Sequence, residues 1–187
     1  MKIFIFSDIH GRLEAAKILI KDLTIENPDE IWFLGDLLYN GPRNGVPSDY
    51  DPMGVANLLK GYKDKIKLVQ GNCDSRVDAM VTDFSFPLNR REHALNRGFL
   101  LYHGDKESYE NLNFKKDTIN VYGHTHLYEM GFHEDGIYYL NPGSVGFPKG
   151  GREATYMVLE GDFVYLKSLK DQKIILKDHL PIKSPKN

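Results

Sequence analysis

The hydrophobic rhythm of the chain changes near its midpoint. In the first half, short apolar runs rich in β-forming residues alternate with helical stripes. KIFIF (2–6) reads as a strand buried on both faces. Residues 12–23 then place Leu13, Ala16, Leu19, Ile20 and Leu23 on one side of a helix. EIWFLGD (30–36) predicts a second strand, and YNGPRNGVPSDYD (39–51), rich in Gly, Pro and Asn, predicts a loop. Asp51 followed by Pro52 supplies an N-cap and a first helical residue for a segment reaching about Lys60. KIKLVQGN (65–72) predicts a third strand, and a short helix after Asp74 would present Val77, Met80 and Val81. This alternation indicates βαβ units and a largely parallel sheet.

In the second half the apolar residues recur in short runs, at 93–95, 99–102, 118–122, 127–132, 137–140, 154–159, 163–168 and 173–177. Turn signals NRG, HEDG, EGD and KDQ separate them. A β-rich half with hairpins follows, expected to form a second sheet packed on the first. Residues 105–117 read as a short helix or a loop, and the tail PIKSPKN (181–187) as loosely held. With no fixed-period repeat and no low-complexity tract, residues 1–187 read as one domain.

Composition narrows the function classes. The chain is 41% hydrophobic and 27% charged, an ordinary globular balance. A net charge of −2 gives no nucleic-acid-binding signature. No apolar run approaches the roughly 20 residues that span a bilayer, and MKIFIFSDIHG lacks the apolar core of a signal peptide. The single cysteine, Cys73, excludes an internal disulfide framework. A cytoplasmic location is the resulting expectation.

Five predicted strands are each followed at once by side chains able to bind metal. They are Asp8 and His10, then Asp36, then Asn72 with Cys73 and Asp74, then His103, then His124 and His126. In open α/β sheets ligands bind at the carboxyl ends of strands, so five such ends suggest one site fed by five loops. Neighbouring glycines (Gly11, Gly35, Gly71, Gly104, Gly123) would let the backbone turn sharply there. Two carboxylates, four imidazoles and one amide exceed what one ion can use, but suit two ions sharing a carboxylate. Mixed oxygen and nitrogen ligation without thiolate favours Mn²⁺, Fe or Zn²⁺ over Ca²⁺ or Cu⁺. His124 and His126, two apart on an extended segment, would project to one side.

The motifs DIHG, GD, GNCD, HG and GHTH, in this order, resemble the calcineurin-like metallophosphoesterase family. GDLLYNGPRNGVP, GNCDS, VYGHTH and NPGSV followed by PKGG resemble its branch of small bacterial phosphodiesterases, over roughly residues 1–170. The resemblance implies an α/β fold, a two-sheet β-sandwich flanked by helices. It implies that Asp8, His10 and His126 hold one metal, that Asn72, His103 and His124 hold the second, and that Asp36 bridges them. The expected cofactors are two divalent ions, Mn²⁺ foremost, with Zn²⁺, Fe, Ni²⁺ or Mg²⁺ as alternatives. A hydroxide between them would hydrolyse a small phosphodiester, and a homo-oligomer is implied as possible. Asn72, Cys73 and Asp74 are the expected catalytic residues. Many members carry GNHE, whose histidine is a candidate general acid; here Cys73 takes that place, and a thiol is the poorer acid. Asp74 either orients that position or caps the following helix. The chain also departs from its branch at Asn40 and Asp105, where histidine is usual, with the ligand set intact.

Taken singly, each residue has a plainer reading. Asp8, Asp36 and Asn72 are common caps and turn residues, and a lone buried His103 is more often hydrogen-bonded than ligating. Their joint placement favours the site. His93, His133 and His179 lack such context and read as structural or surface residues. NPGSV (141–145) reads as a turn ending a strand, outside the site. Arg43 and Asn44 would bind a substrate phosphate or simply be solvated. Two further functions compete with the phosphodiesterase: a phosphomonoesterase with the same metals, and a non-catalytic scaffold like the retromer subunit that resembles this family.

Overall fold

The computed structural model describes residues 1–105 and 112–181. Residues 182–187 of the expected tail and 106–111 of the uncertain 105–117 segment lie outside these residues; residues 112–117 form no helix. The first half contains strand β1 (Lys2–Phe6), helix α1 (Leu13–Glu26), β2 (Glu30–Phe33), α2 (Pro52–Lys60), β3 (Ile66–Leu68) and α3 (Arg76–Thr82). Eight strands follow: β4 (Asn89–Ala94), β5 (Arg97–Tyr102), β6 (Thr118–Val121), β7 (Tyr128–Phe132), β8 (Tyr138–Pro142), β9 (Thr155–Glu160), β10 (Phe163–Ser168) and β11 (Ile174–His179).

Two mixed sheets face each other. The first runs β11-β10-β9-β1-β2-β3 and the second β4-β5-β6-β8-β7. The parallel pairs are β1 with β2, β2 with β3, β5 with β6, and β6 with β8. The expected second sheet is therefore only partly a product of the second half: β9, β10 and β11 return to extend the first sheet. Strand periodicity shows that a segment pairs, not which edge it joins.

Alternation along β1 explains the layering. Ile3 and Ile5 point between the sheets, where they meet Trp32, Phe99, Leu101, Val121, Leu140, Met157 and Leu166. Phe4 and Phe6 point the other way, onto Leu19 and Leu23 of α1 and Val55 and Leu59 of α2. All four β1 side chains are fully buried, as a continuous apolar run predicts. The three described helices thus cover the outer face of the first sheet. Each such side chain contributes about 1.5–3 kcal/mol relative to leaving it in water.

The start of α2 follows its sequence signal; the start of α3 departs from it, since Asp74 was the expected cap. Asp51 Oδ1 accepts the Gly54 N–H at 2.8 Å ahead of Pro52. Ser75 and Asp78 form a reciprocal capping box on α3. Of the expected apolar face of α3, only Val81 packs on the core. Val77 and Met80 are 62% and 82% exposed, while Asp78 and Thr82 turn inward. Seven residues are too few to reveal a stripe, and the cap fixes the helix with Asp78 inward. α1 borrows its cap from the long loop: its Leu13 N–H donates to the Asp49 carbonyl at 3.0 Å.

Candidate metal centre

The site lies where the parallel strands of both sheets end. β1 delivers Asp8 and His10, β2 delivers Asp36, and the segment after β3 delivers Asn72, Cys73 and Asp74. From the second sheet, β5 delivers His103 and β6 delivers His124 and His126. Backbone bonds tie these ends together: Asp8 N–H to Gly35 O (3.0 Å), His10 N–H to Asp36 O (3.0 Å) and Gly123 N–H to His103 O (2.9 Å). Convergence of the seven predicted ligands is thus a property of the topology.

The local backbone is not the extended one that the histidine spacing suggested. Asp8, His10, Asp36, His124 and His126 have φ of 57°, 53°, 62°, 64° and 60°. The two histidines of GHTH share the site because each sits in the left-handed region on a bend, not because they alternate along a strand. Aspartate and histidine tolerate that region better than most residues, at a cost of order 1–3 kcal/mol each. Two of the glycines serve close approach instead. A Cβ on Gly71 would stand 2.2 Å from Asp36 Oδ1, and one on Gly123 would stand 2.1 Å from Ser7 Oγ.

Hydrogen bonds fix the proton positions on three rings. His10 Nδ1 faces the Tyr39 carbonyl at 2.8 Å, His126 Nδ1 the Phe147 carbonyl at 2.6 Å, and His103 Nδ1 the Leu34 carbonyl at 2.6 Å. A carbonyl only accepts, so each Nδ1 carries the hydrogen and each neutral ring offers a bare lone pair at Nε2. Two of these lone pairs meet. His10 Nε2 lies 3.3 Å from His126 Nε2, and Asp8 Oδ1 lies 3.7 Å and 3.3 Å from them. Asp8 Oδ1 is buried and has no hydrogen-bond donor. Around His103 Nε2 stand Asn72 Oδ1 (3.1 Å), His124 Nδ1 (3.3 Å) and Asp36 Oδ2 (3.4 Å). Asp36 Oδ2 is also 3.5 Å from His10 Nε2 and so touches both groups.

The carbonyl-fixed Nδ1 hydrogens turn Nε2 atoms and carboxylate oxygens toward one another, an arrangement that positive charge between them stabilises, and the donor set fits divalent ions. The titration of the groups follows the same demand. Burial disfavours charged His103, but the Asp36 carboxylate and the charge of Asp8 outweigh this and raise its pKa to about 9. His10 is also raised, against its burial, by Asp8 and Asp36. Asp8 and Asp36 fall below the ordinary carboxylate value, because the histidines more than offset the penalty of burial. His124 moves down, through burial and the nearby positive charge of His103. Donor atoms of Asp8, His10 and His126 lie within 4.8 Å of one another, as do those of Asp8, Asp36 and His103.

Cys73 and Asp74 occupy different environments. Cys73 is half-buried and lines the cavity; its Sγ accepts from Asn72 Nδ2 at 3.3 Å. Its donor atom also lies near those of His10 and Asp36. Burial and the charge of Asp36 push its pKa up to about 12, which keeps it a thiol at neutral pH. Asp74 does not face the cavity. Its carboxylate accepts backbone N–H groups from Asp36, Leu37 and Gly71, each at 2.8 Å. Ser75, not Asp74, caps α3. The expected catalytic Asp74 is therefore a positioning residue for the loop that carries Asp36.

The turn NPGSV, expected to lie outside the site, supports it. Ser144 Oγ donates to the Asp8 carbonyl at 2.9 Å, and Asn141 Nδ2 donates to the Gly123 carbonyl at 2.8 Å. The Phe147 carbonyl, just beyond, orients His126. These roles run through backbone atoms and leave no side-chain signature beyond the motif itself. Above the histidines opens a cavity of about 480 Å³, with Arg43, Asn44 and Lys149 at its rim. Asn40, where histidine was expected from its branch, is buried and shapes the rim loop by donating to the Gly45 carbonyl.

The fold and this cluster of ligands define a metallophosphoesterase. A profile of the calcineurin-like phosphoesterase superfamily domain matches residues 1–162, and the chain belongs to that family. It is 38% identical over 177 residues to phosphodiesterase YfcE of Escherichia coli K12, covering 94% of this chain and 96% of the relative. The solved structure of the E. coli YfcE phosphoesterase superposes with a TM-score of 0.87 at 36% identity, covering 97% of this chain and all (100%) of that one. A zinc complex of Vps29 from Entamoeba histolytica shares the fold, with a TM-score of 0.59 at 18% identity over 96% of this chain and 98% of that one. No described helix is long and apolar enough to cross a membrane.

Proposed function

We propose that the protein is a metal-dependent phosphodiesterase acting on small phosphodiesters through two divalent ions. The observation that carries this reading is the convergence of acceptor atoms on two neighbouring points with Asp36 Oδ2 between them. Asp8, His10 and His126 would hold one ion and Asn72, His103 and His124 the other, with Asp36 within reach of both groups. Asp36 Oδ1 accepts the Cys73 N–H at 2.8 Å, which leaves Oδ2 facing His10 and His103. Mn²⁺ is the first candidate, given a ligand set of oxygen and nitrogen without thiolate. The name of the E. coli relative supports the diester as the substrate class.

When bound, a pair of divalent ions supplies charge stabilisation to the phosphoryl group and an activated water. The chain's own residues do the rest. The carbonyls of Tyr39, Leu34 and Phe147 hold three rings in the ligating tautomer, which raises ligand basicity. Asp74 fixes the backbone of Asp36, and Ser144 that of Asp8. Asn72 lies exposed at the cavity side, where it can reach the phosphoryl oxygens. Cys73, a half-buried thiol lining the cavity, is a poorer acid than an imidazole, so esters with good leaving groups are favoured.

The test is hydrolysis of bis(p-nitrophenyl) phosphate and p-nitrophenyl phosphate after chelation, and again with Mn²⁺, Zn²⁺ or Mg²⁺ restored. Restored turnover of the diester above the monoester is the expected result. Restored turnover of the monoester alone would replace the reading with a phosphomonoesterase. No turnover with any ion, from folded protein, would favour the scaffold.

A further inference from the structure

We propose that Arg43 and Lys149 form a second anion subsite at the rim of the cavity, so that the preferred substrates are small phosphodiesters with an additional anionic group on one ester arm. This rests on the two-ion phosphodiesterase reading and narrows its substrate class.

Charge balance is the first argument. The carboxylates of Asp8 and Asp36 oppose the four positive charges of two divalent ions. A hydroxide nucleophile and one singly charged diester neutralise the remainder. Arg43 and Lys149 are then surplus, for they line the same cavity with no compensating group. Arg12, which reaches the nearby Gly146 carbonyl, is by contrast paired with Asp49. Arg43 and Lys149 have no ion pair and no side-chain hydrogen bond among the described residues. Two unpaired cations facing one cavity attract an anion and pay little to reorganise.

Placement is the second argument. Each cation stands on a loop pinned beside a site residue. The Lys149 N–H donates to the His126 carbonyl at 3.2 Å, which sets its Cα next to the GHTH bend. The Arg43 loop is closed by Asn44 Nδ2 on the Asn40 carbonyl at 2.7 Å and by Asn40 on Gly45. The cations thus come from different segments and line the same cavity as the histidines.

The cavity wall is the third argument. It holds no Phe, Tyr or Trp among the described residues, which leaves imidazoles and the Arg43 guanidinium as its flat groups and favours a polar arm over a nucleobase. A volume of about 480 Å³ admits a small polar ester arm.

The test compares p-nitrophenyl methyl phosphate, a monoanion, with p-nitrophenyl 2-carboxyethyl phosphate, a dianion, on the Mn²⁺-loaded enzyme. The expected kcat/KM ratio favours the dianion about 10-fold, chiefly through KM, and shrinks at high salt. Arg43→Ala and Lys149→Ala each reduce that ratio by about 3-fold, Arg43→Lys retains part of it, and Lys149→Glu reverses it. Calorimetric titration with dimethyl phosphate and methyl 2-carboxyethyl phosphate reads the same preference without turnover. Equal kcat/KM for both chromogenic esters, unchanged in the variants, would overturn the second subsite and leave the diesterase intact. Hydrolysis of neither ester would overturn the diesterase, and the titration alone would then decide the subsite.

Discussion

The carboxylate of Asp74 accepts the backbone N–H of Asp36, with Asp74 Oδ2 2.8 Å from the nitrogen. One buried carboxylate thereby holds the loop that presents the shared ligand, through contacts with three backbone N–H groups in all. Its pKa is nevertheless raised to about 6, by burial first and the charge of Asp36 second, so it carries a real desolvation cost. Asp74→Asn keeps the shape but sets an amide NH₂ against backbone N–H donors. Metal affinity is expected to fall about 10–100-fold while the fold persists. Metal titration together with a thermal melt checks this, and unchanged affinity in a folded Asp74→Asn protein would refute the positioning role.

Removing ligands should separate the two ions. Asp36→Ala takes a contact from both groups, and turnover is expected to drop at least ~10²–10³-fold. Asn72→Ala leaves Asp8, His10 and His126 intact and should retain one ion. Elemental analysis of the purified variants distinguishes the two outcomes.

Gly71 offers a steric test that leaves every polar group in place. An added methyl meets Asp36 Oδ1 at 2.2 Å and the Asp36 nitrogen at 2.4 Å. Gly71→Ala should therefore cost about 1–3 kcal/mol of stability and weaken metal binding, since the Asp36 loop must shift. A melting curve with and without Mn²⁺ reports both effects.

Away from the site, Glu26 links stability to pH. Burial raises its pKa, but Lys167 and Lys2, the latter at 3.2 Å, overcome this and bring it below the ordinary 4.5. A carboxylate with a depressed folded-state pKa contributes stability above its unfolded value and loses it as pH falls through the folded value. Glu26→Gln should melt about 2–4 °C below the parent at pH 7, a loss of about 1 kcal/mol. That deficit should close on acidification below the ordinary 4.5.

Much of the fold was legible because its signals are local. KIFIF announced a doubly buried strand, and Asp51-Pro52 announced the start of α2. The return of β9, β10 and β11 to the first sheet was not legible, since an amphipathic strand does not name its neighbour. The seven residues that converge on the site were legible as residue types at strand ends. Their backbone was not: His124 and His126 look like alternating strand positions but occupy left-handed bends. Asp74 and Ser144 act through main-chain groups, so their sequence context could not separate a loop lock from a catalyst or a turn. Val77 and Met80 misled because a seven-residue helix oriented by its cap need not bury its apolar side.

The central claim is a two-ion centre shared through Asp36, and the most direct measurement is metal stoichiometry. Chelated protein reloaded with Mn²⁺ should bind two ions per chain, with an electron paramagnetic resonance spectrum of a coupled pair. Asn72→Ala should bind one and give the spectrum of isolated Mn²⁺. A single uncoupled ion in the unsubstituted protein, with full diester hydrolysis, would contradict the account.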